Sequence, residues 1–320
     1  MATNYNIKTM DRKYKISMMG NFGKSYGQTC DENFIKDALG DLGHEVFENQ
    51  IVSNVDLILM FKSNKYGVQH VKEWRTKTNA PVFILSFDFM KRFEWFFPIA
   101  KECDLWLGEE EGLKEEWKQR GLPFYQFPNH AVNPKVFYPM DLLKEYDVSF
   151  FGTPYFQERT DMLKAIENAG FNLYIFGNNP SEWKQHGFKN VMGSAFDEKL
   201  SEMVAKSRIV VGISNTLCEG YYSIRPSQVM LCKGFMIDRF CPYMEKELKD
   251  GCEYWNTHEE LIEKIRYYLE HENERLAIAE KGYQIAINNL TNKQRCKELV
   301  ILFERFKQLG KEKFLQICNQ

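Results

Sequence analysis

The sequence predicts an α/β protein of two Rossmann-like domains whose parallel sheets face a common cleft. Short apolar runs alternate with helical stretches along the chain, the pattern of parallel strands joined by crossover helices. The pattern starts twice, at Tyr14 and at Tyr146, with a break near residues 139–145. A chain of 320 residues is also long enough for two hydrophobic cores.

The first series opens with an apolar run at 14–20 that ends in glycine. A helix follows, with apolar residues at helical spacing (Phe34, Ala38, Leu42), and Gly43 closes it before a strand at 44–47. Strand, glycine loop, helix and strand form the opening unit of a doubly wound sheet. Further strands are predicted at 55–61, 81–87, 104–108 and 123–128.

The second series predicts strands and helices in the same alternation. Strands are predicted at 146–152, 171–177, 208–214 and 234–238, and helices at 157–170, at 196–207 and from Thr257 onward. These patterns divide the chain into domains 1–142 and 143–290 and a tail, 291–320. The tail keeps an apolar stripe, so we expect it to dock on another part of the molecule.

Composition excludes some classes of protein. With 42 basic and 44 acidic residues the net charge is −2, which argues against nonspecific packaging of a polyanion but is compatible with a local basic groove. The eight cysteines form no CxxC pair, which is typical of a reducing compartment. No signal pattern or apolar run of membrane-span length is present, so we predict a cytoplasmic protein without a membrane span.

Gly20, Gly23 and Gly27 lie between the first strand and the first helix. Glycines let backbone N–H groups approach an anion, which the helix dipole also favours, so this segment is a candidate phosphate or acceptor loop. Its GxxGxxxG spacing differs from the GxGxxG dinucleotide fingerprint. A tight turn that binds no ligand explains it equally well.

Two further candidates follow strands of the first domain. Asp88 lies just past a buried strand, where a carboxylate can act as a general base or cap the next helix. The cations Lys91 and Arg92 are interleaved with aromatic rings, which suits a flat or anionic acceptor but equally an amphipathic core helix. His130 follows the last strand and is a candidate base, a phosphate or sugar ligand, or a structural group.

The segment from Tyr222 to Gln228 is the sharpest signal in the second domain. Pro226 suits the first turn of a helix, so a loop at 220–225 leads into a short helix whose N-terminus points at the cleft. The hydroxyls of Tyr221, Tyr222 and Ser223 and the guanidinium of Arg225 predict a diphosphate site, with Gln228 bonding ribose hydroxyls. A surface loop with an arginine ion pair is the alternative.

Residues 150–159 predict a second cation beside the same crevice. A strand ends at Gly152 and Thr153, and Arg159 follows, either to contact phosphate, to stack on a base, or as an ordinary helix arginine. Gly177 ends the next strand and is assigned to the same donor site.

Several segments in order resemble one family. They include FPNHAVNPKVFYP, DVSFFGTPYFQERTDMLKAI, AKSRIVVGIS and SIRPSQVMLCKGFMI. In these the chain resembles the CgeB-like (spore maturation protein-like) glycosyltransferases, relatives of enzymes with the GT-B architecture. Arg225 and Gly234 match an arginine and a glycine of the family, whereas Gln228 stands where the family usually has glutamate.

The resemblance implies a metal-independent glycosyltransferase without a cofactor. A UDP- or other nucleoside-diphosphate sugar would bind domain 143–290, the acceptor would bind domain 1–142, and the tail 291–320 would pack back on the first domain. Positive charge on the diphosphate would come from Arg225 and Arg159. Deprotonation of the acceptor would fall to Asp88, or to Glu32 or His130.

The acceptor is left open among a glycan, a protein, a small molecule and a modified base in DNA. An enzyme that modifies DNA needs a basic groove beside the cleft. The candidate residues for this groove are Lys62, Lys65, Lys91 and Arg92. Two hypotheses from other functional classes remain. One is a nucleotide-sugar-binding protein without turnover, and the other is an NAD-dependent oxidoreductase, which the absence of a GxGxxG motif disfavours.

Overall fold

The computed structural model describes residues 12–25, 27–62, 65–87, 90–154, 156–216 and 218–318. Two six-stranded sheets, each entirely parallel, form the framework, and helices flank them. The predicted α/β fold class with two Rossmann-like halves is confirmed.

The first sheet forms from strands separated by short helices. In chain order its elements are β1 (Lys15–Met19), the hairpin strands β2 (Lys24–Ser25) and β3 (Gln28–Thr29), α1 (Asp31–Asp41), β4 (Glu45–Glu48), β5 (Leu57–Phe61), α2 (Val68–Lys77), β6 (Val82–Leu85), α3 (Phe97–Glu102), β7 (Leu105–Gly108), α4 (Lys114–Gln119) and β8 (Phe124–Gln126). Two 3₁₀ segments, Met90–Phe96 and Glu111–Leu113, lie in its loops. The strand order is β4-β1-β5-β6-β7-β8, with the hairpin outside the sheet.

The second sheet repeats the alternation with a different strand order. Its elements are β9 (Tyr146–Phe151), α5 (Gln157–Asn168), β10 (Leu173–Phe176), α6 (Pro180–Gln185), β11 (Asn190–Gly193), α7 (Glu198–Lys206), β12 (Ser207–Gly212), α8 (Arg225–Leu231), β13 (Met236–Arg239), α9 (Pro242–Leu248), β14 (Glu253–Trp255), α10 (His258–Glu270) and α11 (Glu272–Asn289). The order is β11-β10-β9-β12-β13-β14. Sequence reading missed the edge strands β11 and β14, since neither presents a continuous apolar run.

Each sheet has one point where the strand order reverses. In the first sheet it lies between β1 and β5, and in the second between β9 and β12. Ligands of open α/β sheets bind outside the carboxyl ends of the strands at such a point. The topology therefore marks one crevice in each domain.

The chain ends in two helices, α12 (Asn292–Leu309) and α13 (Lys311–Cys318). Leu299, Phe303 and Phe306 of α12 are buried in the same core cluster as Leu59 and Phe83 of the first sheet. Where the chain enters α12 it pairs with the connection between the two sheets, since the N–H of Asn292 donates to the carbonyl of Val132 at 3.0 Å. The division at 142 and 290 stays a prediction. No described helix is long and apolar enough to cross a membrane.

Candidate active site

A cleft of about 420 Å³ lies between the carboxyl ends of the two sheets. A second cavity of about 240 Å³ lies over the second sheet, next to the loops that follow β9, β10 and β12. The residues that line both are Gln28, Phe196, Asn215, Ser223, Ile224 and Arg225. The two spaces therefore form one continuous site that both domains border.

Glycines shape the floor of the smaller cavity. A Cβ atom on Gly177 would lie 2.1 Å from the carbonyl oxygen of Gly152 and 2.5 Å from Nε1 of Trp183. Only glycine lets the loops after β9 and β10 approach this closely. Gly152, Thr153 and Gly177, all assigned to the donor site by sequence, line this cavity together.

Arg159 connects the loops around this cavity. Its Nη1 donates to the carbonyl of Thr153 at 2.6 Å, and its Nη2 donates to the carbonyl of Ile213 at 3.1 Å and to the side-chain oxygen of Asn215. Burial lowers the pKa of Arg159 to about 10, against the opposing effect of Asp238. Arg159 is thus cationic at neutral pH, but most of its donors bond protein oxygens, so it organises the loops rather than offering a free fork to phosphate.

Arg225 begins α8 and lines both cavities. Its Nη1 donates to Oε1 of Gln228 at 2.8 Å. Burial, followed by the repulsion of Arg159, lowers the pKa of Arg225 to about 10. Two guanidinium groups that disfavour each other beside one cavity make a site in which a bound anion is stabilising. The N–H of Ser223 is taken by the hydroxyl of Ser214 at 2.9 Å.

The contact with Arg225 orients the side-chain amide of Gln228. An arginine is only a donor, so the amide oxygen of Gln228 must face it and the amide nitrogen is left for the cleft. Sequence reading expected that oxygen to accept from a ribose hydroxyl. In the structure this oxygen accepts from Arg225 and keeps a second lone pair, so the ribose role of Gln228 stays a prediction.

Tyr222 corrects a prediction. Its side chain is 1% exposed, and its hydroxyl donates to Oε2 of Glu247 at 2.6 Å, away from the cavities. Among the described residues that line the two cavities, Tyr221 is present and Tyr222 is absent. Tyr221, the other tyrosine predicted for this site, does line the larger cleft; which of two adjacent side chains faces the cleft depends on how the loop folds.

His130 borders the cleft but is not placed to act as a base. It is 2% exposed, with Nε2 3.0 Å from Oε2 of Glu109 and Nδ1 3.5 Å from Oε2 of Glu247. Burial lowers the pKa of His130, but the two carboxylates outweigh burial and raise it to about 9. Its flanking oxygens therefore favour the imidazolium, which cannot accept a proton, so the surroundings of His130 argue against its predicted role as a catalytic base.

The glycine loop of the first domain also differs from the prediction. The N–H of Gly20 donates to the side-chain oxygen of Asn49 at 3.0 Å, and that of Gly23 to the side-chain oxygen of Asn33 at 3.2 Å. These two N–H groups already form hydrogen bonds within their own domain, so they are not available to bind an anion. Gly27 lies in the β2–β3 turn, where a Cβ would be 3.7 Å from the ring of Phe196 in the other domain.

Glu32 lies in the first turn of α1 and lines the larger cleft. Its Oε1 accepts a hydrogen bond from the backbone N–H of Asn21 at 3.0 Å. A Cβ on Gly20 would lie 2.9 Å from the same oxygen, so this glycine makes room for the carboxylate. Asp88 lies outside the described residues.

The predicted basic groove is not an open strip of cations. Lys91 pairs with Glu116 at 2.8 Å. Arg92 donates to the carbonyl of Asn215, and Lys62 lies 3.3 Å over the ring of Phe93. Lys62 does line the larger cleft.

Sequence reading missed several residues that line the site. They are Gln28, Phe196, Asp197, Asn215 and Glu109. Asn215 follows β12 at the point of strand reversal, so the topological rule was a usable signal for it. Asp197 accepts hydrogen bonds from the N–H and the hydroxyl of Thr29 in the other domain at 3.1 and 2.8 Å. Because this contact joins residues far apart in the chain, no local sequence pattern predicts it. Within the described ranges, no group of three metal-ligating His, Cys, Asp or Glu side chains gathers.

Comparison with known proteins identifies the reaction class. Residues 159–301 match the family described as "Glycosyl transferase-like". This segment contains Arg159, Asn215, Ser223, Arg225 and Gln228, the donor side of the site. The protein is a glycosyltransferase.

Solved structures of this enzyme's fold cover nearly the whole chain. A sucrose-phosphate synthase from Thermosynechococcus elongatus is 10% identical with a TM-score of 0.65, covering 92% of this chain and 100% of its own. Anabaena HepE in complex with UDP and glucose is 12% identical with a TM-score of 0.62, covering 91% and 100%. The DNA-modifying β-glucosyltransferase, solved with and without uridine diphosphoglucose, is 14% identical with a TM-score of 0.61, covering 92% and 98%.

At these identities the likeness shows the fold, which is the GT-B arrangement of two facing Rossmann-like domains. We found no match among curated protein sequences.

Proposed function

We propose that the enzyme transfers a sugar from a UDP- or other nucleoside-diphosphate donor to a hydroxyl acceptor, without a metal ion. The observation that carries the proposal is the pair of guanidinium groups, Arg159 and Arg225, beside one cavity at the point of strand reversal in the second sheet. The nucleotide would occupy the cavity of about 240 Å³, and the sugar would extend into the larger cleft. A neighbour of the same fold binds UDP and glucose, which is compatible with this placement.

The roles of the charged groups follow from the bonds that change. The acceptor oxygen forms a bond to C1 of the donor sugar, and the bond from C1 to the phosphate oxygen breaks with its electron pair on the diphosphate. Arg225 would stabilise the negative charge that develops there. The acceptor proton would go to Glu32, a carboxylate on the opposite wall of the cleft. Asp88 stays a predicted alternative base.

The finer assignment to the CgeB-like group is part of the proposal, and the ordered sequence segments support it. A cytoplasmic location is also proposed. The cysteines whose side chains the structure describes are all free thiols, which fits a reducing compartment.

Donor binding tests the site directly. Isothermal titration of the wild type with UDP, GDP, ADP and dTDP should find one nucleotide that binds. Arg225→Ala should weaken it about tenfold to a hundredfold, because a charge-assisted hydrogen bond is worth about 1.5–3 kcal/mol. Arg208→Ala, at an exposed arginine paired with Asp147, is the matched control and should bind as the wild type does. If none of the four nucleotides binds, the proposal fails.

Turnover distinguishes an enzyme from a binding protein. Release of the nucleoside diphosphate from its sugar donor, measured with a mixed set of acceptors, should continue in excess EDTA. Glu32→Gln should lower transfer about a hundredfold or more while donor affinity is retained. Asp37→Asn, on the exposed face of the same helix, should leave transfer unchanged. If Glu32→Gln keeps full activity and Asp88→Asn loses it, the base is Asp88.

A further inference from the structure

A buried cluster of charged groups joins the two domains in the wall of the larger cleft, next to the donor turn. Glu109 follows β7 and His130 follows β8 in the first domain, whereas Tyr222 and Glu247 belong to the second. Arg295 of α12 completes the cluster, since its Nη2 donates to Oε1 of Glu247 at 3.0 Å. His130 and Glu109 are 2% and 4% exposed, so these charges interact with little water between them.

Both ring nitrogens of His130 face acceptors. Nε2 is 2.6 Å from the carbonyl oxygen of Tyr222 and 3.0 Å from Oε2 of Glu109. Nδ1 is 3.5 Å from Oε2 of Glu247. A neutral imidazole has one N–H and would turn a lone pair toward oxygen on one side. The imidazolium keeps an N–H on Nε2 for the Tyr222 carbonyl and also places a positive charge between Glu109 of the first domain and Glu247 of the second.

The carbonyl that His130 contacts belongs to the donor turn. Tyr222 immediately precedes Ser223, and Arg225 follows two residues later. The rings of His130 and Tyr222 also stack, with centroids 3.5 Å apart and planes at 19°. The first domain thus contacts the segment that carries the donor-binding groups, through a hydrogen bond and through ring stacking.

We propose that His130 is a positioning residue: as an imidazolium it holds the carbonyl of Tyr222 and thereby orients Ser223 and Arg225 toward the donor diphosphate. The inference rests on the proposed donor site. The positioning role requires no contact between His130 and the reacting atoms, and it makes donor affinity depend on a charge in the wall of the cleft.

The electrostatics of the cluster agree with its geometry. Burial lowers the pKa of His130, but Glu109 and Glu247 outweigh this and raise the pKa to about 9. Burial raises the pKa of Glu247, but His130, Arg295 and the hydroxyl of Tyr222 outweigh this and lower it to about 2. The imidazolium is therefore present below about pH 9 and is lost as the pH rises through that value.

The test is the pH dependence of donor binding, with UDP as the probe between pH 6.5 and 10. The wild-type Kd should be nearly constant to pH 8 and weaken as His130 deprotonates. Glu109→Gln should move this alkaline limb down by about one to three pH units, because it removes the nearest opposite charge. Glu304→Gln is the matched control: Glu304 is also buried, at 9% exposure, but bonds Tyr14 far from the cleft. Its limb should coincide with that of the wild type.

His130→Gln adds an independent measurement. It should weaken UDP about tenfold at pH 7 and abolish the difference between pH 7 and pH 9.5 that His130 causes. The imidazole resonances of the wild type, assigned by their loss in His130→Gln, should titrate near pH 9. A ring that is neutral at pH 7.5 overturns the proposal, even if a variant folds poorly.

The two proposals fail in different ways. If no nucleoside diphosphate binds the wild type at pH 7, the proposed function fails. If UDP binds but the limb does not move in Glu109→Gln, the donor site stands and the positioning role of His130 is wrong.

Discussion

The first turns of α1 and α5 occupy equivalent places in the two domains but carry opposite charges. Each helix follows the first strand of its sheet, and each turns a long side chain toward the glycine that ends that strand. A Cβ on Gly20 would lie 2.9 Å from Oε1 of Glu32, and a Cβ on Gly152 would lie 3.5 Å from Nη1 of Arg159. The same framework thus admits a carboxylate that lines the cleft on one side and, on the other, a guanidinium that ties together the loops of the donor cavity.

The two sides also differ in what holds their loops. On the donor side Arg159 bonds the loops after β9 and β12 through Thr153 and Asn215, all within one domain. On the acceptor side the β2–β3 hairpin is held by the other domain, through Thr29 and Asp197. The loops around Arg159 are therefore held within their own domain, whereas the turn before Arg225 and the β2–β3 hairpin are each held by a contact between the domains.

Gly177→Ala should break the donor side most severely. The new Cβ would meet the backbone oxygen of Gly152 at 2.1 Å, so the two loops must separate. We expect a loss of about 1–3 kcal/mol in the free energy of unfolding by urea and at least a tenfold loss of UDP affinity. Gly40→Ala is the control: it lies on exposed helix with nothing within 4 Å, and should stabilise by about 0.5–1 kcal/mol. Wild-type stability and affinity in Gly177→Ala would contradict the close-approach argument.

Gln228→Glu tests whether the positive charge of Arg225 faces the diphosphate. A carboxylate against Arg225 offsets the charge that faces the diphosphate, so UDP should bind about threefold to tenfold more weakly while uridine binds unchanged. Calorimetry with both ligands measures this, and Gln228→Met, which removes the hydrogen bond without adding charge, is the comparison. An equal loss of affinity for uridine would instead support the predicted role of Gln228 in binding the ribose hydroxyls.

Thr29→Val should give the smallest effect, and on the acceptor side alone. It keeps the side-chain volume and removes one hydrogen bond to Asp197, so we expect a loss of about 0.5–1.5 kcal/mol in stability. UDP affinity should not change. A fall in UDP affinity comparable to that of Gly177→Ala would show that the donor cavity depends on the contact between the β2–β3 hairpin and Asp197.

Sequence reading found the donor side better than the acceptor side for a physical reason. Glycines at strand ends and a proline at a helix start act through the local backbone. Gly152, Gly177 and the turn before Pro226 could therefore be predicted from the sequence. The glycines of the first loop carry the same local signal. Whether their N–H groups are available depends on Asn33 and Asn49, which satisfy Gly23 and Gly20 after folding.

By itself the sequence determined the two parallel sheets and the turn that carries Arg225, because buried strands need apolar runs and tight turns need particular residues. Only the tertiary structure decided what the charges do. His130 meets Tyr222, 92 positions away, and Glu109 and Glu247 flank it from different domains. A pKa is set by burial and by neighbours in space, so a histidine that the sequence offers as a base becomes a buried cation once the domains are packed.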